Sequence, residues 1–150
     1  MAKSLATAQV LGETRDRLYQ VTAQDRALWG TLTAPVMMRH LAQAYEIALG
    51  ERQVGPVRGL PQGLMKWVAL RSWFQWPKNI QTTPELHLAN AEACHEDFDS
   101  LIEETVEKLE QVARGRGLAT SHPFFGSMTA EDWMRWGYLH ADHHLRQFGR

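Results

Sequence analysis

Cysteine is scarce in this sequence: Cys94 is the single one among 150 residues. One cysteine cannot form a disulfide within the chain, and such usage is typical of a reducing compartment. An excess of charge is also missing, since sixteen Lys and Arg stand against seventeen Asp and Glu, for a net charge of −1. A protein without a basic field attracts phosphates weakly, so the composition disfavours nucleic acid as a partner.

Long apolar runs are missing as well. No stretch approaches the roughly 20 apolar residues of a membrane span, and the N-terminal segment carries charges every few positions instead of the apolar core of a signal peptide. We therefore expect a cytoplasmic protein with no membrane partner. The apolar and charged fractions, 44% and 22%, are those of a globular domain, and we predict a single domain over residues 1–150.

The alternation of polar and apolar residues that marks a half-buried strand is absent, whereas apolar residues recur at the helical spacings of three and four. Thr33 and Thr83 each have proline in the following turn, and Thr129 with Asp132 resembles a capping box, so each marks a helix start. The sequence predicts main helices over residues 4–26, 33–50, 83–114 and from 129 toward the C-terminus, with a shorter helix over 64–76. This pattern predicts an all-α four-helix bundle with a short extra helix in the crossover.

Three of the seven histidines, His140, His143 and His144, fall within five residues. Residues four apart on a helix lie one above the other, with Cβ atoms about 5–6 Å apart, so His140 and His144 are predicted to reach one metal ion. His143 lies about 60° around the helix from His140; it is an alternative ligand to His144, and we rank it as a supporting or surface residue. Gln147, one turn on, and Arg146 are candidates for orienting a substrate or bound water.

His40 lies in the middle of the apolar stripe of the second predicted helix. A buried imidazole needs a partner, and for a lone histidine the commoner partner is a hydrogen bond to a neighbouring helix. Together with His140 and His144, however, His40 completes a set of three nitrogen ligands. Neutral imidazoles suit Zn²⁺ or another borderline divalent ion such as Ni²⁺, and three rather than four protein ligands leave a position open for catalysis. No carboxylate clearly faces this site, so the sequence assigns no general base.

Other residues have simpler interpretations. Trp29 is interpreted as an anchor packed under the bundle, and Cys94 as a small buried residue. His87 and His95 are spare ligand candidates, more simply explained as surface or capping residues. An aromatic cluster in the short third helix is interpreted as a plug that closes one end of the core rather than as a ligand cage. It consists of Trp67, Trp73, Phe74 and Trp76.

Five short sequence motifs spread over the chain resemble those of one known family. They are Trp29-Gly30-x-Leu32-Thr33, Met38-x-His40-Leu41, Trp76-Pro77-Lys78, His122-Pro123-x-Phe125-Gly126 and His143-His144-Leu145-Arg146-Gln147-Phe148-Gly149. Together with His40 and the later pattern His140-x-x-x-His144-x-x-Gln147, they resemble the DinB/YfiT-like superfamily of metal-dependent proteins, and within it a bacterial branch of unknown function.

This resemblance implies a four-helix bundle whose three histidines, here His40, His140 and His144, bind one divalent ion. It also implies a homodimer, and some relatives are transferases that use low-molecular-weight thiols. Three hypotheses follow. The first is a metal-dependent S-transferase or hydrolase that activates a thiol or water for transfer to a small electrophilic substrate. The second is a non-catalytic metal- or ligand-binding bundle, and the third is a structural module whose histidines are satisfied by hydrogen bonds.

Overall fold

The computed structural model describes residues 2–72, 74–78 and 97–150. Within these ranges the chain is mainly helical, as predicted, and contains one small hairpin. The helices are α1 (Ala8–Tyr19), α2 (Ala34–Ala48), α3 (Gln62–Arg71), α4 (Phe98–Ala113) and α5 (Ala130–Gln147). The strands β1 (Ser121–His122) and β2 (Gly126–Ser127) pair antiparallel. No helix in the described ranges has the length and apolarity needed to cross a membrane.

Helices α2 and α5 begin where the sequence predicts. The Thr33 side chain accepts the backbone N–H of Val36 at 3.4 Å, and Pro35 lies in the first turn of α2. At the start of α5, the Thr129 hydroxyl accepts the N–H of Asp132 at 3.1 Å, and the Asp132 carboxylate accepts the N–H of Thr129 at 3.0 Å, which completes a capping box. These caps fix the start of both helices that carry the predicted ligands.

A buried carboxylate ties α3 to the start of α5. Asp132 is 3% exposed, and its carboxylate lies 2.6 Å from the Lys66 ammonium of α3. Burial alone would raise the pKa of Asp132, but the hydrogen bonds from Lys66 and from Thr129 outweigh it and lower that pKa. Asp132 is therefore held ionised, and α3 is held beside α5.

Helix α5 approaches α2 closely at Gly137. The Tyr45 hydroxyl of α2 donates to the Gly137 carbonyl oxygen at 3.2 Å, and a Cβ atom at residue 137 would lie 2.9 Å from the Leu5 side chain. Around this contact α1, α2, α4 and α5 enclose one hydrophobic core. Since His140 follows Gly137 by nearly one turn, the contact brings the histidine end of α5 alongside the middle of α2.

Helix α1 is shorter than predicted. It begins at Ala8, behind Thr7 as the cap, and stops at Tyr19 rather than near residue 26. The Asp25 carboxylate accepts the backbone N–H of Thr22 at 3.0 Å, so this polar pair closes a turn where the helix was expected to continue.

Helix α3 also ends early, at Arg71 rather than at Trp76. Ser72 adopts an extended backbone, and its hydroxyl donates to the Val68 carbonyl oxygen of the last helical turn. A serine side chain that competes for a helix carbonyl offers the backbone an alternative to further helix.

The predicted helix over residues 83–114 is described only in its second half. Helix α4 begins at Phe98 because Asp97 is extended and its carboxylate accepts the N–H of Ser100 at 3.0 Å. The prediction of one unbroken helix through residue 97 is therefore wrong. Three residues singled out in the first half, His87, Cys94 and His95, lie outside the described residues.

The hairpin corrects the expectation that the chain contains no strand. In β1 and β2, Ser121 pairs with Ser127 and His122 with Gly126. Each strand spans two residues, which is too short for an alternating pattern to be visible in the sequence. Gly126 has a φ of 67°, a left-handed conformation that favours glycine at this bend.

The predicted aromatic plug is wrong for two of its members. Trp67 is 60% exposed and Phe74 is 68% exposed. Trp76 does pack against the core, and its Nε1–H donates to the Ala69 carbonyl oxygen at 2.9 Å. Trp73 lies outside the described residues. Helix α3 buries Leu70 fully, so only a narrow face of this short helix contributes to the core.

Candidate metal centre

Helices α2 and α5 bring the three predicted ligands together. Nε2 of His40 lies 2.9 Å from Nε2 of His140, and one ring nitrogen from each of His40, His140 and His144 lies within 4.8 Å of the others. Two of these residues are 100 positions apart in the chain. Among the described residues, no cysteine, aspartate or glutamate joins this group of three histidines.

The spacing of the nitrogens fits a shared ion. Two nitrogens that each lie about 2.0–2.1 Å from zinc are about 3.3 Å apart at a tetrahedral angle and about 2.9 Å apart at a right angle. The separation of 2.9 Å between His40 and His140 therefore suits two ligands of one ion. The same separation also suits an N–H···N hydrogen bond between the two rings. Only the third ring of the triad, that of His144, can favour one of the two arrangements.

Gln147 fixes the orientation of His144. The Gln147 side-chain N–H donates to the Trp29 carbonyl oxygen at 2.9 Å, and a carbonyl can only accept. The amide oxygen of Gln147 must then face Nδ1 of His144, which lies 2.9 Å away. Nδ1 of His144 therefore carries the proton, and its Nε2 keeps a free lone pair. A ring N–H held by an acceptor of this kind is the usual support for a metal-binding histidine.

Burial keeps the three rings neutral. His144 is 6% exposed, while His40 and His140 are partly exposed. Burial lowers the pKa of His40 to about 4. Burial, followed by repulsion from the neighbouring imidazoles, lowers the pKa of His140 and of His144 well below the ordinary value of 6.5. Neutral imidazole is the form that binds a metal ion, so the site is ready to bind without losing protons at neutral pH.

His143 lies beside the triad. It is 8% exposed, and the centre of its ring lies 6.0 Å from that of Trp29 and 6.1 Å from that of Trp76. Its Nδ1 has no hydrogen-bond partner in the described part of the chain. The sequence ranks His143 as a supporting or surface residue; its side chain is in fact buried at the edge of the site.

Arg146 is engaged elsewhere. Its Nε donates to the Asp142 carboxylate at 2.9 Å, and its Nη1 donates to Gln75 at 3.3 Å. Asp142 also pairs with Arg17 at 2.9 Å, so Arg146 belongs to an ion-pair network on the flank of α5. Of the two residues expected to orient a substrate, the structure brings Gln147 to the histidines and holds Arg146 in this network.

Sequence reasoning missed the aromatic surroundings of the site. The Trp136 ring lies 5.0 Å from that of His140, and Trp76 lies 5.9 Å from it. His122 of β1 packs 5.3 Å from Trp136 and stacks on Phe125 at 4.4 Å. Burial lowers the pKa of His122 to about 4. The phrase around His122 was visible in the sequence, but nothing in its spacing places it near α5.

Residues 10–150 match the model of a family described as a protein of unknown function, DUF1569. The chain belongs to the DUF1569 family. No curated protein and no solved structure matches this DUF1569 chain. The matched range contains His40, His140 and His144.

Replacing Gln147 is expected to weaken metal binding. In Gln147→Leu, Nδ1–H of His144 loses its acceptor, and losing such support typically costs about 10- to 100-fold in metal affinity. Titration of the metal-free protein with Zn²⁺ against a competing chelator measures this loss. Arg146→Met removes a neighbouring polar side chain that does not touch the triad, and should leave the affinity unchanged. Equal affinities for wild type and Gln147→Leu would show that Gln147 does not support the site.

The buried histidines also predict how stability depends on pH. A histidine with a pKa lowered by folding takes up its proton more readily when unfolded, so stability falls as the pH drops from 6.5 toward the folded value of about 4 for His40 and His122. Urea unfolding of chelator-treated protein should show a falling midpoint between pH 6.5 and 5, above the range where most carboxylates protonate. The fall should be shallower in His122→Gln. A midpoint that stays constant over this range would contradict the buried, neutral state.

Proposed function

We propose that this protein is a metal-dependent enzyme of the DinB/YfiT-like type, in which His40, His140 and His144 hold one divalent ion, Zn²⁺ or Ni²⁺. The supporting observation is the convergence of three neutral ring nitrogens within 4.8 Å of one another. The arrangement of α1, α2, α4 and α5 around one core is compatible with the four-helix bundle of that type. The same resemblance supports a homodimer.

The reaction proposed is activation of a thiol or water for transfer to a small electrophilic substrate, as in an S-transferase or a hydrolase. A divalent ion would supply Lewis acidity, which lowers the pKa of a thiol or water that reaches its open position. The chain's own residues orient the histidine rings and exclude water from the site. Gln147 holds the ring of His144, and Trp76 and Trp136 line the His140 side of the site with apolar rings.

A non-catalytic metal- or ligand-binding bundle is the second candidate, and one observation favours it. Among the described residues, no carboxylate joins the triad, so no aspartate or glutamate there has the position of a general base. A reaction that needs a proton removed by the protein would require such a group. Activation of a thiol depends less on a general base, because a thiol loses its proton more readily than water does.

Metal content of the purified protein tests the proposal. Protein prepared without chelators is expected to hold about one equivalent of divalent metal, measured by elemental analysis. His40→Ala and His144→Ala should lose the metal while keeping the helical far-UV circular dichroism. His143→Ala is the matched control, because it removes an equally buried histidine of α5 outside the triad, and should retain the metal. Wild-type protein that holds no metal and takes up none on addition would exclude the proposed enzyme.

Thermal stability separates metal binding from a purely structural role for the histidines. An ion that binds only the folded state stabilises it by about 2.7 kcal/mol when free at a hundred times its Kd. Removing it with EDTA should therefore lower the Tm by roughly 5–10 °C for a domain of this size, and added Zn²⁺ should restore it. A Tm unchanged by both treatments is the signature of histidines satisfied by hydrogen bonds alone.

A further inference from the structure

The three imidazoles of the triad would leave the charge of a bound divalent ion uncompensated. Three neutral imidazoles add no negative charge to a divalent ion, and among the described residues no carboxylate joins them. The surroundings are poorly solvated, since His144 is buried and aromatic rings lie against His140. A charge of +2 in such an environment strongly favours an anion as the additional ligand. This argument rests on the proposed function, because it requires the ion.

Four residues lie in a chain of contacts next to the triad, and we call them the rim: Trp29, Trp76, Lys78 and His143. The His143 ring lies 5.1 Å from that of His144, and the Trp29 ring lies 6.0 Å from that of His143. The Lys78 ammonium lies 4.7 Å from the centre of the Trp29 ring. The rim therefore connects His144, through aromatic rings, to the exposed cation of Lys78.

Hydrogen bonds tie both tryptophans of the rim to the fold, Trp29 through its backbone and Trp76 through its ring. The Trp29 carbonyl oxygen accepts from the Gln147 side chain, and Nε1–H of Trp76 donates to Ala69. The His143 ring contacts both tryptophans, and its Nδ1, like Nδ1 of His140, is a buried polar atom with no partner in the described residues. A buried ring nitrogen of this kind is unusual in a folded protein. A polar group of a bound ligand would satisfy it.

The segment that contains Trp76 and Lys78 carries basic residues and no acidic ones. From Arg52 to Lys78 the sequence contains five Lys and Arg and no Asp or Glu. Three of these cations pair with carboxylates outside the segment: Arg52 with Glu46, and Lys66 and Arg71 with Asp132. In the described ranges no ion pair is formed by Arg58 or by Lys78. Lys78 is the one of these two that lies on the rim.

We propose that the rim binds the body of the ligand whose donor atom reaches the triad, and that it selects organic anions, carboxylates or phosphates, with Lys78 as the residue that determines this specificity. The apolar faces of Trp29 and Trp76 accept the ligand's carbon skeleton, and His143 accepts or donates one hydrogen bond. Neutral ligands of the same shape lose the interaction with Lys78.

Two thiols of the same shape test this selectivity. The full-length protein is loaded with Co²⁺ and titrated at about 0.01 M ionic strength, where screening is weak, with 3-mercaptopropionate and with its neutral amide. The thiolate-to-cobalt absorption band reports binding. The quantity compared is the ratio of the two affinities, because intrinsic differences between the thiols cancel when this ratio is compared between variants.

The wild-type ratio is expected to fall by up to about fivefold in Lys78→Gln, the upper end of the range for an exposed charge pair. Lys78→Arg should retain it, since the charge is kept. Arg58→Gln is the matched control, because it removes an exposed cation of the same segment that lies outside the rim, and should leave the ratio unchanged. Quenching of tryptophan fluorescence in the Zn²⁺-loaded protein measures the same ratio independently should the thiols withdraw cobalt.

An equal ratio in wild type and Lys78→Gln, with cobalt bound, would overturn the specificity and leave the proposed metal site intact. An equal fall in Arg58→Gln would also overturn it, because general surface charge would then explain the effect. Failure of the wild type to bind Co²⁺, or binding unaffected by His144→Ala, would instead remove the proposed function itself.

Discussion

Three imidazoles are buried against one another at the centre of the site, and their burial sets both their charge and their spacing. Poor solvation opposes a positive charge on each ring, and each ring that gained a charge would repel the other two. The rings are therefore neutral, and Nε2 atoms of His40 and His140 meet at 2.9 Å. Two lone pairs at this distance repel unless a proton or a cation lies between them. A proton satisfies two nitrogens, whereas a metal ion satisfies three.

The fold supports this convergence from both directions. The contact of Tyr45 with Gly137 sets α5 against α2, and the capping box at Thr129 sets where α5 begins. At the other end, Gln147 holds His144 with its side chain, while its own carbonyl oxygen accepts the N–H of Leu28 at 2.7 Å. One residue thus orients a histidine of the triad and anchors the loop that carries Trp29. The geometry of the triad and of the rim next to it therefore depends on the same hydrogen bonds.

Helix starts and the triad were predictable because each depends on local or periodic information. Thr33 and Thr129 are of the residue type that caps helix starts, so each indicates where its helix begins. His40 lies within a stripe of apolar residues, which indicates that its ring faces the core. What the sequence could not supply depends on contacts between distant segments. Trp29 was expected to be an anchor, and no periodic pattern relates it to His143 or to Lys78. Arg146 belongs to the same sequence motif as His144 and Gln147. Its side chain nevertheless pairs with Asp142, four residues earlier, on the flank of α5.

X-ray absorption of the Zn²⁺-loaded protein at the zinc edge would show whether three imidazoles surround one cation. If they do, the spectrum contains three nitrogen scatterers at about 2.0–2.1 Å with the outer-shell pattern of imidazole rings, together with a ligand that is not a side chain. In His144→Ala the imidazole contribution should fall by one ring or the zinc should be lost. A spectrum without imidazole scattering, or one unchanged in His144→Ala, would show that the triad does not hold the ion.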